Sequence, residues 1–187
     1  MCFENREYES LDFSADSIES GQYENCRFSN CDFANSDISG IEFTECEFNN
    51  CNLSMVKLDG TAFNNVKFRR TKMLGLQFSN CRTRLLSVSF SDCTLDYSSF
   101  FGLVLRRTVF ESTRLHDVDF TGSDFSKSVF RDCDFANAVF SNTNVEGSDF
   151  KTSYNYVIDP ETNRVRKATF DLLGVLGLLS KYDIEIS

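Results

Sequence analysis

From Phe110 to Phe150 every fifth position is large and apolar: Phe110, Leu115, Phe120, Phe125, Phe130, Phe135, Phe140, Val145 and Phe150. Two residues before each stands a small or β-branched residue or a cysteine: Thr108, Thr113, Val118, Ser123, Ser128, Cys133, Ala138, Thr143 and Ser148. A helix repeats its apolar face about every 3.6 residues and a strand about every 2, so this period belongs to neither. It predicts a structural unit of its own, used many times over. The same slot is filled earlier by Tyr8, Phe13, Ile18, Tyr23, Phe28, Phe33, Ile38, Phe43, Phe48, Leu53, Leu58, Phe63, Phe68, Met73 and Phe78. From Phe78 to Phe90 the chain gains two residues, which predicts a bulge within residues 81–86, with Leu85 in the slot.

Written out, Ser123-Asp124-Phe125-Ser126-Lys127 and Ala138-Val139-Phe140-Ser141-Asn142 resemble the repeats of the pentapeptide-repeat family. The resemblance implies an all-β solenoid: a right-handed quadrilateral β-helix with four pentapeptides to a square coil. Sorted that way, Tyr8, Phe28, Phe48, Phe68, Phe90, Phe110, Phe130 and Phe150 form one aromatic face that runs unbroken through the bulge. The other faces start from Phe13, Ile18 and Tyr23. At a strand spacing of about 4.8 Å, about seven coils make a rod roughly 35 Å long.

The repeat domain is expected over residues 1–152. Residues 153–187 then form a connector, with a turn or helix start at Asp159-Pro160, one last strand through Val165, Ala168 and Phe170, and a short helix. The apolar run Leu172, Leu173, Val175, Leu176, Leu178 and Leu179, with Phe170, is expected to cap the open end of the coil. Family members with such C-terminal segments commonly dimerise there, so the resemblance implies a homodimer.

Composition fits one steric slot refilled many times, with 20 Phe, no Trp and one Pro in 187 residues. No apolar run approaches the roughly 18 residues of a membrane span, and Met1-Cys2-Phe3-Glu4-Asn5 does not read as a signal peptide, so a cytoplasmic, non-membrane protein is expected. Eight cysteines invite a metal or disulfide reading. Yet Cys26, Cys31, Cys46, Cys51, Cys81, Cys93 and Cys133 all fall on the small inward position; only Cys2 does not. They are expected to be reduced thiols acting as small hydrophobes. His116 follows a slot residue and points outward with no nucleophile placed beside it, and Gly40, Gly60, Gly75, Gly102, Gly122 and Gly147 all stand two after a slot residue, at corners. No catalytic residue, cofactor or metal site is expected. The pattern is that of a binding protein rather than an enzyme.

Charge is uneven along the chain. Residues 1–50 carry twelve acids and two bases (−10), residues 51–115 four acids and ten bases (+6), and residues 116–187 twelve acids and seven bases (−5), which sum to −9. An acidic rod about as thick as a nucleic-acid duplex repels nucleic acid itself but can occupy a protein groove built to hold it; surface charge also serves simple solubility. The middle belt of Lys57, Lys67, Arg69, Arg70, Lys72, Arg82, Arg84, Arg106, Arg107 and Arg114 suits an acidic partner surface or intramolecular ion pairs. Within it Arg82, Arg84, Arg106 and Arg107, with the outward apolar residues Leu74, Leu86 and Phe101, are the candidate partner contacts.

Two stretches narrow the resemblance. Leu95-Asp96-Tyr97-Ser98-Ser99-Phe100-Phe101-Gly102-Leu103-Val104-Leu105 is similar to a coil of the quinolone-resistance members, and the segment from Leu115 through Ile158-Asp159-Pro160-Glu161-Thr162-Asn163-Arg164 to the gyrase-protecting microcin-immunity member. These relatives bind type II topoisomerases, resemble DNA in shape and charge, and shield the enzyme from poisons. The resemblance therefore implies a DNA mimic that binds DNA gyrase or topoisomerase IV. The alternative is a structural scaffold for other proteins. Quinolone-resistance members project two loops from the coil, whereas here the only interruption is the bulge near Arg82 and Arg84.

Overall fold

The computed structural model describes every residue except Asp183, Ile186 and Ser187, and the backbone alone of Leu85. Among the described residues eleven short strands and one α-helical turn follow one another: β1 (Cys2–Glu4), β2 (Glu7–Glu9), β3 (Gln22–Glu24), β4 (Arg27–Ser29), β5 (Glu42–Thr44), β6 (Glu47–Asn49), β7 (Ala62–Asn64), β8 (Val66–Arg69), β9 (Val88–Ser91), β10 (Val109–Glu111), β11 (Val129–Arg131) and α1 (Leu176–Leu179). Every strand pairing is parallel, and the register is one coil of twenty residues, as in Tyr8 with Phe28 and Phe28 with Phe48. Across the bulge the step is twenty-two, Phe68 with Phe90. One sheet of seven strands runs β2-β4-β6-β8-β9-β10-β11, and a four-stranded sheet runs β1-β3-β5-β7. Single parallel bridges such as Asp32 with Asn52 and Ser99 with Asp119 carry the ladder on the remaining faces. The molecule is a parallel, four-sided β-solenoid.

The interior follows from the two inward positions of each repeat. Phe28, Phe48, Phe68, Phe90, Phe110, Phe130 and Phe150 are all within 1% of full burial. Successive rings on this face stack at 4.6–5.5 Å between centroids, and rings of the other faces meet them edge-on, as Phe43 on the next face meets Phe48 at 5.3 Å and Phe100 on the opposite face meets Phe110 at 6.0 Å. The small inward residue donates to the slot carbonyl one coil back: Ser98 Oγ to Met73 O at 2.9 Å, Ser148 Oγ to Phe125 O at 2.8 Å. Thr71 does the same toward Phe48 O. A buried hydroxyl is thus satisfied without leaving the coil.

The corners lie two residues after each slot residue, and there the backbone turns left-handed. The six corner glycines have φ of +68° to +74°, and among the described residues 21 non-glycine residues, nine of them Asn, also hold positive φ. Asn tolerates this region better than other side chains, which explains its recurrence.

The ladder runs on past Phe150. Phe170 stacks over it at 5.3 Å, and Asn144 with Arg164 and Asp149 with Thr169 continue the bridges. The motif fades there because the inward position passes to Tyr156, one residue late, and because Asn163 replaces the usual small residue. The Asn163 amide donates to Phe140 O and accepts from Thr143 N–H. Asp159 opens a turn, its carboxylate accepting from Glu161 N–H at 2.9 Å. Next comes the cap. Ile158 N–H donates to Gly177 O, and a side chain at Gly174 or Gly177 would collide with Tyr156, so these two glycines let the last segment lie flat on the coil. Leu178 packs against the core and Leu179 is half-buried, whereas Leu172, Leu173, Val175 and Leu176 face solvent.

Candidate partner-binding surfaces

With the interior filled by its own side chains, function must reside on the three outward positions of each repeat. The parallel register assigns every one of them to a face or an edge. The bulge lies at the edge between the Ile38 and Tyr23 faces, formed by two 3-10 turns, Phe78–Asn80 and Thr83–Leu85. Arg82 starts the second turn, and its side chain crosses two coils to pair with the Glu42 carboxylate and to donate to Gly40 O at 3.4 Å. The path is open because the intervening coil carries Ala62, which stands above Glu42 in the ladder. Arg84 is exposed. Leu86 is not: only 8% of it is accessible and it joins the core, so it corrects the expectation of an outward residue. The physical reason is the two-residue insertion, which ends its 3-10 turn at Leu86 and turns that side chain into the core. The expectation that placed Leu85 in the slot falls on a side chain outside the described ones.

Phe101 is 56% exposed on the same edge as the bulge, one coil further on. Arg106 and Arg107 occupy the opposite edge of the Tyr23 face, and Arg106 pairs with Asp124 at 2.8 Å. Arg82, Arg84, Phe101, Arg106 and Arg107 therefore frame one face, with exposed Val104 between them. Leu74 does not belong to this group. It is half-buried and lies half a coil away, at the edge between the Phe33 and Ile38 faces. That edge carries an apolar pair missed in the sequence: Met55, 60% exposed, folds over the Gly75 corner, and Tyr97, 66% exposed, holds the next corner. The signal was available, since both stand two after a slot residue, where Asn or Gly is usual.

Much of the basic belt is tied to carboxylates. Arg69 pairs with Glu47, Arg114 with Asp96 at 2.6 Å, and Arg131, just beyond the belt, with Glu111 at 2.8 Å. Pairs as exposed as Arg69–Glu47 and Arg131–Glu111 contribute little stability but fix side-chain directions, whereas Asp96 is buried under its arginine. His116 Nε2 lies 2.7 Å from Asp134. Although burial opposes it, hydrogen bonds from His116 and Asn155 hold the Asp134 carboxyl below its ordinary value. Among the described residues the Asp134 carboxylate is the one side-chain partner of the His116 ring.

The seven repeat-phase cysteines are buried, and Cys2 is exposed. Of the seven, all but Cys81 donate to carbonyls as the serines do, for example Cys26 to Phe3 O at 3.3 Å and Cys93 to Phe68 O at 3.4 Å. Burial pushes Cys93 up to about 11 and Cys46, Cys81 and Cys133 up to about 12. Among the described residues no cluster of His, Cys, Asp and Glu could hold a metal ion, and no helix is long and apolar enough to cross a membrane.

A family model described as a pentapeptide repeat region matches residues 22–100 and 77–150, most of the chain. The chain belongs to the pentapeptide repeat family. Among solved structures, a trypsin-treated form of QnrB1, a plasmid-mediated fluoroquinolone resistance protein, superposes with a TM-score of 0.75 at 18% identity over 100% of this chain and 92% of that one. HetL, a pentapeptide repeat protein involved in heterocyst differentiation regulation from the cyanobacterium Nostoc sp., gives a TM-score of 0.51 at 10% identity over 92% of this chain and 87% of that one. At these identities the likeness is one of fold. A search of curated protein sequences finds no match.

Proposed function

We propose that this solenoid is a non-catalytic, cytoplasmic DNA mimic that binds a type II topoisomerase, DNA gyrase or topoisomerase IV, and confers immunity or tolerance to its poisons, quinolones among them. The observation that carries the reading is full-length likeness in fold to QnrB1, a fluoroquinolone resistance protein, in a rod with net charge −9. The acidic coils of residues 1–50 supply long-range attraction to a DNA-binding groove. The face framed by Arg84, Phe101 and Arg107 supplies the specific contact, and Val104 lies at its centre. Arg82 acts from behind, holding the bulge in place through Glu42. The exposed run Leu172, Leu173, Val175 and Leu176 joins two chains end to end, which gives a longer rod of doubled charge.

A second reading, a scaffold for another protein, is favoured by one observation: Arg69, Arg82, Arg106 and Arg114 are already paired within the chain. Titrating the purified protein into gyrase supercoiling reactions, with and without a quinolone, separates the two. Protection or inhibition that is lost in Arg84→Glu with Phe101→Ala supports the topoisomerase reading. No effect on either gyrase or topoisomerase IV leaves the scaffold.

A further inference from the structure

The face that begins at Tyr23 changes sign along the rod. Its first three coils place Glu24, Glu42 and Glu45 on outward positions and no cation of their own. Its last four coils are the strips 104–107, 124–127, 144–147 and 164–167, which hold six bases against two acids, +4 in a chain of −9. Register stacks these strips directly. Val104 bridges to Asp124, Asp124 to Asn144 and Asn144 to Arg164. Beside that column Arg107 N–H donates to Ser126 O, Lys127 N–H to Glu146 O and Gly147 N–H to Arg166 O. The bases Arg106, Arg107, Lys127, Arg164, Arg166 and Lys167 are all exposed and border one shallow groove, with Asp124, Ser126, Asn144 and Glu146 along its floor.

Two features set this groove apart from ordinary surface charge. Arg69, Arg82, Arg114 and Arg131 each pair with a carboxylate, and in the groove Arg106 pairs with Asp124. Among the described residues the other five bases form no ion pair within the chain. The second feature is backbone strain. Arg107, Lys127 and Lys167 stand on left-handed corners with φ of +60° to +62°, where Gly147 in the same column needs no strain. Of the four basic corners among the described residues, only Arg70 lies outside this column. Stability alone would favour Asn or Gly at all three.

Three coil steps span about 14 Å, the length of four or five extended residues. A nucleic-acid strand is a uniform polyanion, and running on along the rod it would meet Glu42 and Glu45. A short acidic run in a protein ends where the groove ends, and Val104, 60% exposed at the head of the groove, offers an apolar seat beside it. We propose that this groove docks an extended acidic segment of a partner protein, its carboxylates on Arg107, Lys127, Arg166 and Lys167 and an apolar side chain on Val104. The proposal rests on the contact face of the topoisomerase reading and extends it by three coils, without requiring that the partner be a topoisomerase.

The test follows the fluorescence anisotropy of a fluorescein-labelled peptide, one leucine and five glutamates, with the intact protein. Saturable binding is expected, weakened about tenfold or more by Lys127→Glu with Arg166→Glu and unchanged by Lys57→Glu with Lys72→Glu, the same charge reversal on other faces. Lys167→Gly should bind about threefold more weakly while remaining at least as stable, a combination that a purely structural lysine would not give. Serine in place of the leucine should also weaken binding. Absence of binding, equal binding of a glutamine peptide, equal losses in the remote variant, or tighter binding of a ten-residue oligothymidylate would overturn the proposal. Circular dichroism establishes that each variant retains the coil. Gyrase protection by a protein that ignores the peptide overturns this inference alone, and peptide binding without any effect on gyrase overturns only the topoisomerase reading.

Discussion

At the residue scale, the corner position explains more of this sequence than its hydrophobic ladder does. A left-handed backbone costs a side chain about 1–2 kcal/mol, and the fold imposes it once per repeat. Gly102, at φ +68°, has open space within 4 Å of where an added methyl group would stand, so Gly102→Ala suffers only the backbone strain, expected at about 1 kcal/mol in urea unfolding. Lys167 holds φ +60° on an exposed corner, and Lys167→Gly is expected to gain about 0.5–1 kcal/mol, the strain relieved less the added chain entropy of glycine. Loss of stability in Lys167→Gly would contradict this account. The thiols give a pH dependence. Cys46, Cys81, Cys93 and Cys133 titrate at about 11–12 when folded, against 9.0 for a free thiol. A raised thiol pKa means the folded state keeps a proton that the unfolded state releases. The contribution of these four thiols to stability is therefore flat up to about pH 8.5 and falls between about 9 and 11–12, by about 1.4 kcal/mol per pH unit for each thiol. Replacing the four by serine should flatten that slope, and in the native wild type only Cys2 should react promptly with Ellman's reagent.

At the element scale, each strand is only three or four residues long and holds its place through the ring above and the ring below. Phe110 stacks on Phe90 at 4.8 Å and Phe130 at 5.0 Å, so Phe110→Ala removes two stacking partners and opens a void in mid-rod, expected to cost about 3–5 kcal/mol. Because each coil touches only its neighbours, that variant should also split a single thermal transition into two, which calorimetry would register. One unchanged transition would argue for a more global cooperativity. The cap follows a different rule. Gly174→Val drives a side chain into Tyr156, so the segment must lift off the end, and hydrogen exchange at Ile158 N–H, now bonded to Gly177 O, should accelerate while the coils stay protected. The ladder was legible in the sequence because one steric slot recurs at a fixed period. The bulge and the last coil were less so. Leu86 is drawn into the core at the insertion, which counting by fives does not place; Asn163 and Tyr156 do the inward work of Ser and Phe without looking like them.

At the scale of the whole molecule, charge summed along the chain falls into three blocks, yet the register redistributes them over four faces. The belt read as one site divides: Arg84, Phe101, Arg106 and Arg107 frame the Tyr23 face, and Leu74 sits on the far edge with Met55 and Tyr97. Linear order cannot reveal this, because residues half a coil apart in the chain lie on opposite sides of the rod. The C-terminal run is the reverse case, legible as apolar from sequence but divided by the fold into a covering side, Leu178 and Leu179, and an exposed side. Leu172 is 87% and Leu173 75% exposed, a large apolar cost if left in water. Both side chains point away from the core they would otherwise serve, so Leu172→Glu with Leu173→Glu disturbs no internal packing. Light scattering at micromolar concentration should give twice 21.4 kDa for the wild type and 21.4 kDa for this variant, with the same circular dichroism. If the wild type is itself a monomer, those leucines face something other than a second chain, and the longer rod proposed for topoisomerase binding does not form. If the variant is monomeric and still protects gyrase, binding needs only one chain, and the dimer serves affinity through two linked contacts rather than shape.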